Sequence, residues 1–510
     1  MAIAVGAVLV TVAASACDSS GGSGAAGGSS GKNLDITIEL PDAPADVDPC
    51  MTTFGATGRV LRENVTETLT EKDPAKNTIV PLLATSWKQV SPDVWQFTLR
   101  HNVKFSDGTP WNAANAAISV KRQMDPKLGC HNYTQDLTNV AAVSAPAPYT
   151  LQVTTKIPDP IIPFEFAEVD MSSPKTPANQ LTNDPIGTGP YKFSSYSAQQ
   201  SVKLVRNPGY WGKKPDVDQV TYLFQSDPSI RAAAVQSGQA DLTVDLPNQF
   251  ASGKGASTFP IADVAFLWIG MDEAPFNNLL VREAINYAIN RKELISAVFG
   301  GLGAPASQLV IKSVNGFNPS IQVWPYDPAK AKSLLAQAKA QGVPVNKQIE
   351  LAMEPGEVGT NGTEFVEAVA AQLQAVGFQL HIVNLTQANH TQYITKPYAA
   401  GRQPYLQVHD HGNTLGDSYS TFARYIETSG LESANTDKTI DQLVVQSSQA
   451  TGAARTQLLQ QVWQRAIVTD AQYAPLVDVY DVGMTSSRIR YSFPPNVQDE
   501  LHIDEIHAAG

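Results

Sequence analysis

The sequence predicts an α/β protein with more than one lobe. At 510 residues, the chain is longer than a single hydrophobic core usually organises, so we expect two or three lobes. The stretch "LDITIEL" (34–40) alternates apolar and polar residues, which is typical of a strand. In "TEFVEAVAAQLQAVGFQLHI" (363–382), apolar residues repeat at helical spacing as far as Gly377, and an alternating strand follows. Helices and strands therefore alternate along the chain.

Local signals predict where several helices begin and end. Asn112 is a suitable N-cap for the helical pattern that follows it, and Gly238 is expected at the C′ position of another helix. Asn290 and Glu293 match a capping box in the middle of a longer apolar repeat. We therefore expect that repeat to break into two helices.

The composition is that of a globular protein that does not bind nucleic acid. The chain is 43% hydrophobic and 16% charged, with a formal net charge of −12 and an isoelectric point near 5.2. Phosphate backbones are bound by basic surfaces, and the chain has no run of lysine and arginine. No motif indicates a cofactor, and we predict none.

The N-terminal segment predicts export. Residues 1–16 form an uncharged apolar run that ends in small residues, as in a cleavable signal peptide. Cys17 follows at once in "ASAC", which resembles a bacterial lipobox, and we expect it to be lipidated. The remainder of 17–32 is a Gly/Ser/Ala tract that behaves as a flexible linker. The alternative is an ordinary secretory signal followed by an incidental cysteine.

Two further cysteines, Cys50 and Cys130, are expected to form a disulfide. An exported protein folds in an oxidising compartment, which favours the pairing of its cysteines. Neither residue lies in a CxxC or Cys/His spacing that would indicate zinc. Two buried thiols are the alternative.

One segment carries a dense group of polar residues. In "QVHDHGNTLGDSYSTF" (407–422), His409, Asp410 and His411 are adjacent and Asp417 follows six residues later. Such a group is compatible with a metal site or with acid/base chemistry. However, the chain contains no HExxH motif, and outside the Gly/Ser/Ala tract it contains no GxSxG motif, so a hydrolase has little support.

Several blocks, in order, resemble the large extracytoplasmic solute-binding proteins of ABC importers, the dipeptide/oligopeptide/nickel-binding family. These are "PLLATSWKQVSPDVWQFTLRHNVKFSDGTPWNAANAAISVKR" (81–122), "PIGTGPYKFSSY" (185–196), "LVRNPGYWGKKPDVDQVTYLF" (204–224), "SGQADL" (237–242), "VREAINYAINRKELI" (281–295), "YDPAKAKSLLAQA" (326–338) and "APLVDVYDVGM" (474–484). The resemblance runs from about residue 34 to the C-terminus.

This resemblance implies a fold of two lobes that close over a ligand about a hinge, with an extra α/β subdomain inserted in lobe I. We expect lobe I at 33–60, 180–265 and 480–510, the inserted subdomain at 61–179, and lobe II at 266–479. It also implies a monomer anchored by lipid to the outer face of the cell membrane. Its partners would be a small-molecule or peptide ligand and the transmembrane subunits of an ABC permease. No catalytic step is implied.

The resemblance implies two ligand-binding segments. The first follows an Asp-Pro pair and, as an extended strand, would bring Phe54, Gly55, Ala56 and Thr57 to the ligand. The second would bring His409, Asp410, His411, Gly412, Asn413 and Thr414 to it, and Trp268 could stack on a ring of the ligand or lie in the core.

Thr414 falls where peptide-binding members carry the carboxylate that pairs with a peptide's α-ammonium. A buried ammonium without a counter-charge is costly, so we expect a peptide-like or glycoside-like solute rather than a peptide with a free amino terminus. Two alternatives remain: a nickel or metal-chelate binder of the same family, in which His409 and His411 face one side of a strand, and a secreted metallohydrolase.

Overall fold

The computed structural model describes residues 34–509, except 53–54, 77, 355–357, 387–392, 399–401 and 498–499. The predicted signal peptide at 1–16 and the predicted lipidation site and linker at 17–32 lie outside the described residues. Within the described part of the chain, no helix is long and apolar enough to cross a membrane.

The described residues form nineteen strands. They are β1 Leu34–Leu40, β2 Thr70–Asp73, β3 Thr78–Pro81, β4 Ala84–Ser91, β5 Val94–Leu99, β6 Val140–Ala147, β7 Thr150–Thr155, β8 Tyr191–Ser197, β9 Ser201–Arg206, β10 Val217–Phe224, β11 Leu242–Thr243, β12 Ala256–Ile269, β13 Ala304–Pro305, β14 Gln348–Met353, β15 Gln379–Asn384, β16 Tyr405–Gly412, β17 Tyr473–Thr485, β18 Ile489–Arg490 and β19 His507–Ala508.

Twelve α-helices lie between these strands within the same described ranges. They are α1 Gly55–Leu61, α2 Ala113–Gln123, α3 His131–Gln135, α4 Ile162–Glu165, α5 Pro228–Ser237, α6 Leu279–Ala288, α7 Arg291–Val298, α8 Pro328–Ala340, α9 Gly362–Val376, α10 Ser418–Thr421, α11 Lys438–Gln449 and α12 Gly452–Trp463. Two π-helical stretches, Phe422–Ile426 and Gln464–Thr469, continue α10 and α12.

A mixed sheet of 11 strands organises the molecule. Its order is β15-β14-β16-β12-β17-β11-β1-β10-β9-β8, and β13 adds to β17. The long strands β12 and β17 occupy the middle of this order and pair antiparallel from Ala256 opposite Met484 to Trp268 opposite Tyr473. They therefore connect the two halves of the sheet.

The second half of β12 is buried on both faces. Ala265, Leu267 and Ile269 pack into one apolar cluster together with α6, α8 and α9. The alternate residues, from Val264 to Trp268, pack into a second cluster with α11 and α12. Because side chains alternate along a strand, one run of apolar residues supplies two separate cores.

Two other cores lie away from these central strands. The four-stranded sheet β4-β5-β7-β6 packs with α2 around Phe97 and Val120. Strands β1, β9 and β10 form another core around Ile38 and Tyr222. The first of these cores falls within the segment predicted to be the inserted subdomain, and the exact domain boundaries stay a prediction.

The local predictions are confirmed. Asn112 caps α2 by accepting a hydrogen bond from the Asn115 amide, and Gly238 follows α5 in the left-handed conformation. The predicted long helix breaks into α6 and α7, because Asn290 accepts from the backbone amide of Glu293 and begins a new helix. The predicted disulfide is present, joining Cys50 to Cys130 with a Cα–Cα distance of 5.1 Å.

Removing the disulfide is expected to lower the free energy of unfolding by about 4 kcal/mol. The two cysteines are separated by 80 residues, so the bond restricts a long loop of the unfolded chain. The double variant Cys50→Ala/Cys130→Ala should show this loss in urea unfolding. The control is the reductant dependence: dithiothreitol should lower the wild-type midpoint and leave that of the variant unchanged. An equal response of both proteins would contradict this assignment.

Candidate functional site

A cleft of about 330 Å³ lies over the middle of the large sheet. We call it the central cleft. Its lining comes from segments on both sides of β12 and β17 and includes Asp42, Gly55, Ala56, Arg59, Asp245, Asn248, Ile261, Asp263, Phe299, Val358, Asn361, Asp410, Tyr480 and Asp481. A volume of this size accommodates a small solute.

The first predicted segment reaches this cleft in part. Gly55 and Ala56 line it, whereas Thr57 is buried and donates a hydrogen bond to the Asp46 carbonyl at 3.0 Å. Phe54 lies outside the described residues. The expected extended strand is not formed, because residues 55–61 are helical; Gly55 enters α1 with φ of +69°, a conformation that favours glycine.

Arg59, one turn into α1, forms a two-pronged ion pair with Asp245 at the edge of the cleft. Arg59 Nη2 lies 2.9 Å from Asp245 Oδ1, and Nη1 contacts the other carboxylate oxygen. Burial by itself raises the pKa of Asp245, but the Arg59 charge outweighs it and leaves the pKa below its ordinary value. Asp245 is therefore ionised, and it holds the guanidinium in place.

Asp481 on β17 is the neighbouring carboxylate. Its Oδ1 accepts from the Val482 amide at 2.6 Å and its Oδ2 from the Asp245 amide at 3.3 Å. Burial, followed by repulsion from the Asp245 charge, raises the pKa of Asp481 to about 8, although Arg59 acts in the opposite direction. Asp481 consequently holds a proton at neutral pH.

Strand β16 brings a single carboxylate of the second predicted segment to the cleft. Asp410 lines the central cleft, and its Oδ2 accepts from the Val358 amide at 2.7 Å. In the pairing of β16 with β12, Asp410 lies opposite Ala265, whereas His409 and His411 lie opposite Phe266 and Val264. The aspartate and the two histidines therefore point to opposite faces of the sheet.

The two histidines face the core around α10 rather than the central cleft. His409 Nε2 lies 3.0 Å from the Tyr425 hydroxyl, and His411 Nε2 lies 2.8 Å from Thr421 Oγ1. Burial, assisted by the charge of Arg424, lowers the pKa of His411 to about 3, so this imidazole is neutral. The prediction that both histidines share a face is correct, but that face is not the one that lines the cleft.

Residues 412–414 comprise the end of β16 and the start of the turn that follows it, and they also lie outside the cleft lining. Asn413 is buried and bonds to Thr421 Oγ1 at 2.7 Å and to the Gly416 amide at 2.8 Å. Gly412 pairs with Asp263 on β12, and the Thr414 carbonyl accepts from Lys72 Nζ at 2.6 Å. These contacts give the segment a structural role in the turn.

Trp268 is a core residue. Its side chain is fully buried in the cluster around α11 and α12, and its indole N–H donates to the Glu432 carbonyl at 2.7 Å. The prediction that it stacks on a ligand is therefore wrong, because no face of the ring reaches the cleft. Among the described residues, no group of three or more His, Cys, Asp or Glu side chains could hold a metal ion.

The sequence analysis missed most of the cleft's charged residues. Asp42, Arg59, Asp245, Asp263 and Asp481 come from five separate segments of the chain. Arg59 follows the predicted segment 54–57 by two residues, and Asp481 lies in the block 474–484 that resembles the family, but neither position was marked as a site residue.

The profile of the family described as "Bacterial extracellular solute-binding proteins, family 5 Middle" matches residues 78–430. The chain belongs to this family. The family 5 chain is 31% identical over 341 residues to the "Nickel-binding periplasmic protein" of Escherichia coli (strain K12), covering 61% of this chain and 64% of that protein. It is 32% identical over 263 residues to the "Glutathione-binding protein GsiB" of Shigella boydii, covering 49% and 51%. It thus spans less than two thirds of the length of these relatives.

Solved structures support the fold. The periplasmic binding protein DppA from Helicobacter pylori, in complex with the peptide STSA, superposes with a TM-score of 0.75 at 20% identity, covering 94% of this chain and 98% of that one. This confirms the predicted two-lobed, hinged α/β fold of periplasmic binding proteins. At this level of identity the similarity concerns the fold alone.

Proposed function

We propose that this family 5 chain is the substrate-binding component of an ABC importer and that it captures a small polar solute in the central cleft. The observation that carries the proposal is the lining of this cleft. Asp410 and Val358 approach from the half of the sheet with β14 and β16, and Arg59 and Asp245 from the half with β1 and β11.

A solute held between two halves can drive their closure. The closed form is stabilised only by as much as the solute binds it more tightly than the open form, and contacts to both halves supply that difference. In this proposal, lobe II comprises 266–479 and lobe I the remaining described residues, so that β12 and β17 form the hinge. The permease then recognises the closed form, and no catalytic step takes place.

The proposal also includes the cellular location. A signal peptide at 1–16 exports the chain, lipidation of Cys17 anchors it to the outer face of the cell membrane, and residues 17–32 serve as a flexible tether. A monomer is part of the same proposal, as the resemblance to the family implies.

Replacing Tyr480 by Ala is expected to weaken solute binding about 10-fold or more. Tyr480 lines the central cleft and is 37% exposed, so its ring is available to cover a bound solute. Native mass spectrometry of the purified protein gives the mass of the solute that it retains. That solute is then titrated into solute-free protein in calorimetry. The matched control is Tyr326→Ala, since Tyr326 is 50% exposed and lies outside the lining. Equal affinities for both variants would contradict the proposed cleft.

The second candidate is uptake of nickel in a chelate, which the name of the Escherichia coli relative suggests. Nickel prefers imidazole nitrogen, whereas the described lining offers carboxylate and amide oxygens, so a chelator would have to supply most of the ligands. Calorimetry with nickel chloride, alone and with two equivalents of histidine, tests this candidate. Binding of the histidine complex that is lost in Tyr480→Ala would support it.

A further inference from the structure

The pairing of β12 with β17 is irregular at one place in the middle of β12. The register shifts between Pro260 and Val264, and we call residues 261–263 the β12 irregularity. Extra residues in one strand of a pair bend that strand and increase its local twist. Ile261 and Asp263 also line the central cleft. The β12 irregularity is therefore the place where the two proposed lobes can rotate against each other, directly beside the proposed solute site.

One segment from each proposed lobe contacts β12 at this irregularity. From lobe I, Asn496 donates its backbone amide to the Pro260 carbonyl at 2.8 Å. From lobe II, Asn413 donates its backbone amide to the Ala262 carbonyl, also at 2.8 Å. Asn413 follows β16, whose pairing with β12 begins at Asp263 and continues away from lobe I. Rotation of the lobes therefore moves the Asn413 turn relative to Asn496.

Lys72, on β2, connects these two segments. Its Nζ donates to the Thr414 carbonyl at 2.6 Å and to the Asn496 carbonyl at 3.3 Å, and we call these two hydrogen bonds the Lys72 bridge. The side-chain amide of Asn496 donates to the Pro74 carbonyl at 2.9 Å, in the turn that follows β2. Asn496 is thus fixed to the strand that carries Lys72, and the Lys72 bridge adds the lobe II turn to this assembly.

The Lys72 bridge is made by a charged donor in a desolvated place. Lys72 is 8% exposed. Burial lowers its pKa, the charge of Arg62 acts in the same direction, and the charges of Glu500 and Glu168 oppose this change. Hydrogen bonds from a charged donor are stronger than those between neutral groups, and a buried carbonyl that loses its donor is costly. Rotation in either direction changes the distance between the two carbonyls, so it breaks at least one of the two bonds.

The two lobes are drawn together in the conformation that contains the Lys72 bridge. At the rim of the central cleft, the side-chain amide of Asn248 in lobe I donates to the Val298 carbonyl in lobe II at 3.2 Å. Asn248 and Phe299, which follows Val298, both line the cleft. Direct contact between the two rims is expected of the closed form. The Lys72 bridge therefore belongs to the closed form.

We propose that Lys72 is a positioning residue of the hinge, whose bridge to the Thr414 and Asn496 carbonyls stabilises the closed form and thereby raises the affinity for a solute that Lys72 does not touch. Lys72 lies outside the lining of the central cleft. It acts through the equilibrium between open and closed forms, because the apparent affinity of a solute depends on how favourable closure is. This inference rests on the proposed function, since it concerns the closure of the same two lobes.

The first experiment measures the distance between the lobes. Spin labels are attached to keto-bearing unnatural amino acids at Ser144 on β6 and Gln446 on α11, which are exposed, so that the cysteines of the chain stay unlabelled. Lys72→Met keeps an apolar stem of similar length and removes the donor. It should shift the distribution towards longer distances. The matched control is Lys76→Met, an exposed lysine of the same hairpin that pairs with Asp73, and it should give the wild-type distribution.

The second experiment measures binding kinetics with the solute that the purified protein retains. Lys72→Met should raise the dissociation rate about 10-fold, as expected when a hydrogen bond from a charged donor is lost from the closed form. The association rate should stay within about 2-fold of the wild-type rate, because the solute enters before the bridge is made. Lys72→Gln keeps an amide donor without the charge and should give a smaller change in the same direction. It replaces Lys72→Met in both experiments if the latter does not fold.

The outcomes distinguish this inference from the proposed function. If Tyr480→Ala loses the solute while the Lys72 variant keeps the wild-type distances and dissociation rate, the proposed function stands and the inference is overturned. A lower melting temperature of the Lys72 variant with unchanged distances and rates would show a purely structural role and would also overturn it. If the purified protein retains no solute, the distances alone decide: a shift towards longer distances supports the Lys72 bridge, and an unchanged distribution overturns it.

Discussion

Replacing Asp417 by Asn is expected to lower the free energy of unfolding by about 3–5 kcal/mol, as is typical when one partner of a buried ion pair is removed. Asp417 is 0% exposed, and Arg455 on α12 is 7% exposed. The two arginine nitrogens Nη1 and Nη2 lie 2.6 and 2.8 Å from the carboxylate oxygens. The substitution leaves a buried guanidinium without its counter-charge.

The expected loss of stability is large because the Asp417 carboxylate also accepts hydrogen bonds from two other segments. It accepts from Asn315 Nδ2 at 2.7 Å and from the backbone amide of Tyr419 at 2.9 Å, which caps α10. An asparagine retains a single acceptor oxygen and introduces a donor, so it cannot satisfy all of these groups at once. The loss should appear as a lower midpoint of urea unfolding.

A double-mutant cycle separates the charge pair from the packing. In the variant Asp417→Asn/Arg455→Gln, both charges are gone, and we expect it to be more stable than the sum of the two single losses predicts. The matched control is Asp73→Asn, which removes an exposed pair with Lys76 and should leave the midpoint unchanged. Additive losses in the cycle would show that Asp417 and Arg455 contribute independently.

The same residue shows what the sequence could and could not predict. Caps and breaks, such as Asn112 and Asn290, depend on residues within one helical turn, and the structure confirms them. The partner of Asp417 lies 38 residues further along the chain, beyond the reach of such local signals. The blocks that resemble the family identified the fold because they occur along the chain in the same order as in the family.

The binding site was harder to predict for a physical reason. The period of a strand shows that His409 and His411 share a face, but it does not show which face meets the cleft. Here both faces of the adjacent strand are apolar, from Val264 to Ile269, so hydrophobicity cannot decide between them. Only the packing of Tyr425 and Thr421 against the histidines directs Asp410 to the cleft.

Long-range pairing accounts for the remaining residues. Asp245 and Asp481 are 236 residues apart and meet because β11 pairs with the end of β17. No motif or spacing in the sequence marks either of them as a site residue. The unusual proton affinity of Asp481 arises from this meeting and could not be predicted from either segment alone.

Replacing Asp481 by Asn is expected to stabilise the empty protein increasingly as the pH rises. The pKa of Asp481 is raised to about 8 by burial and by the charge of Asp245, so its contribution to stability is fully present below about pH 4 and is lost as the pH rises through 8. Asparagine does not ionise and escapes this loss. The difference in unfolding free energy should therefore grow by up to about 1.4 kcal/mol per pH unit between these limits and stay constant above pH 8.

The groups around Asp481 supply the opposite control. Asp481 interacts electrostatically with Asp245, Arg59 and Arg231. The charge of Arg59 keeps the pKa of Asp245 low. Asp245→Asn should therefore lower the melting temperature at neutral pH, with an effect that begins to shrink as the pH falls into the ordinary carboxyl range and disappears below the lowered pKa of Asp245. Melting curves from about pH 2 to pH 9 measure both variants. If Asp481→Asn gave the same shift at every pH, Asp481 would be ionised throughout, and the empty cleft would carry its full negative charge without a stored proton.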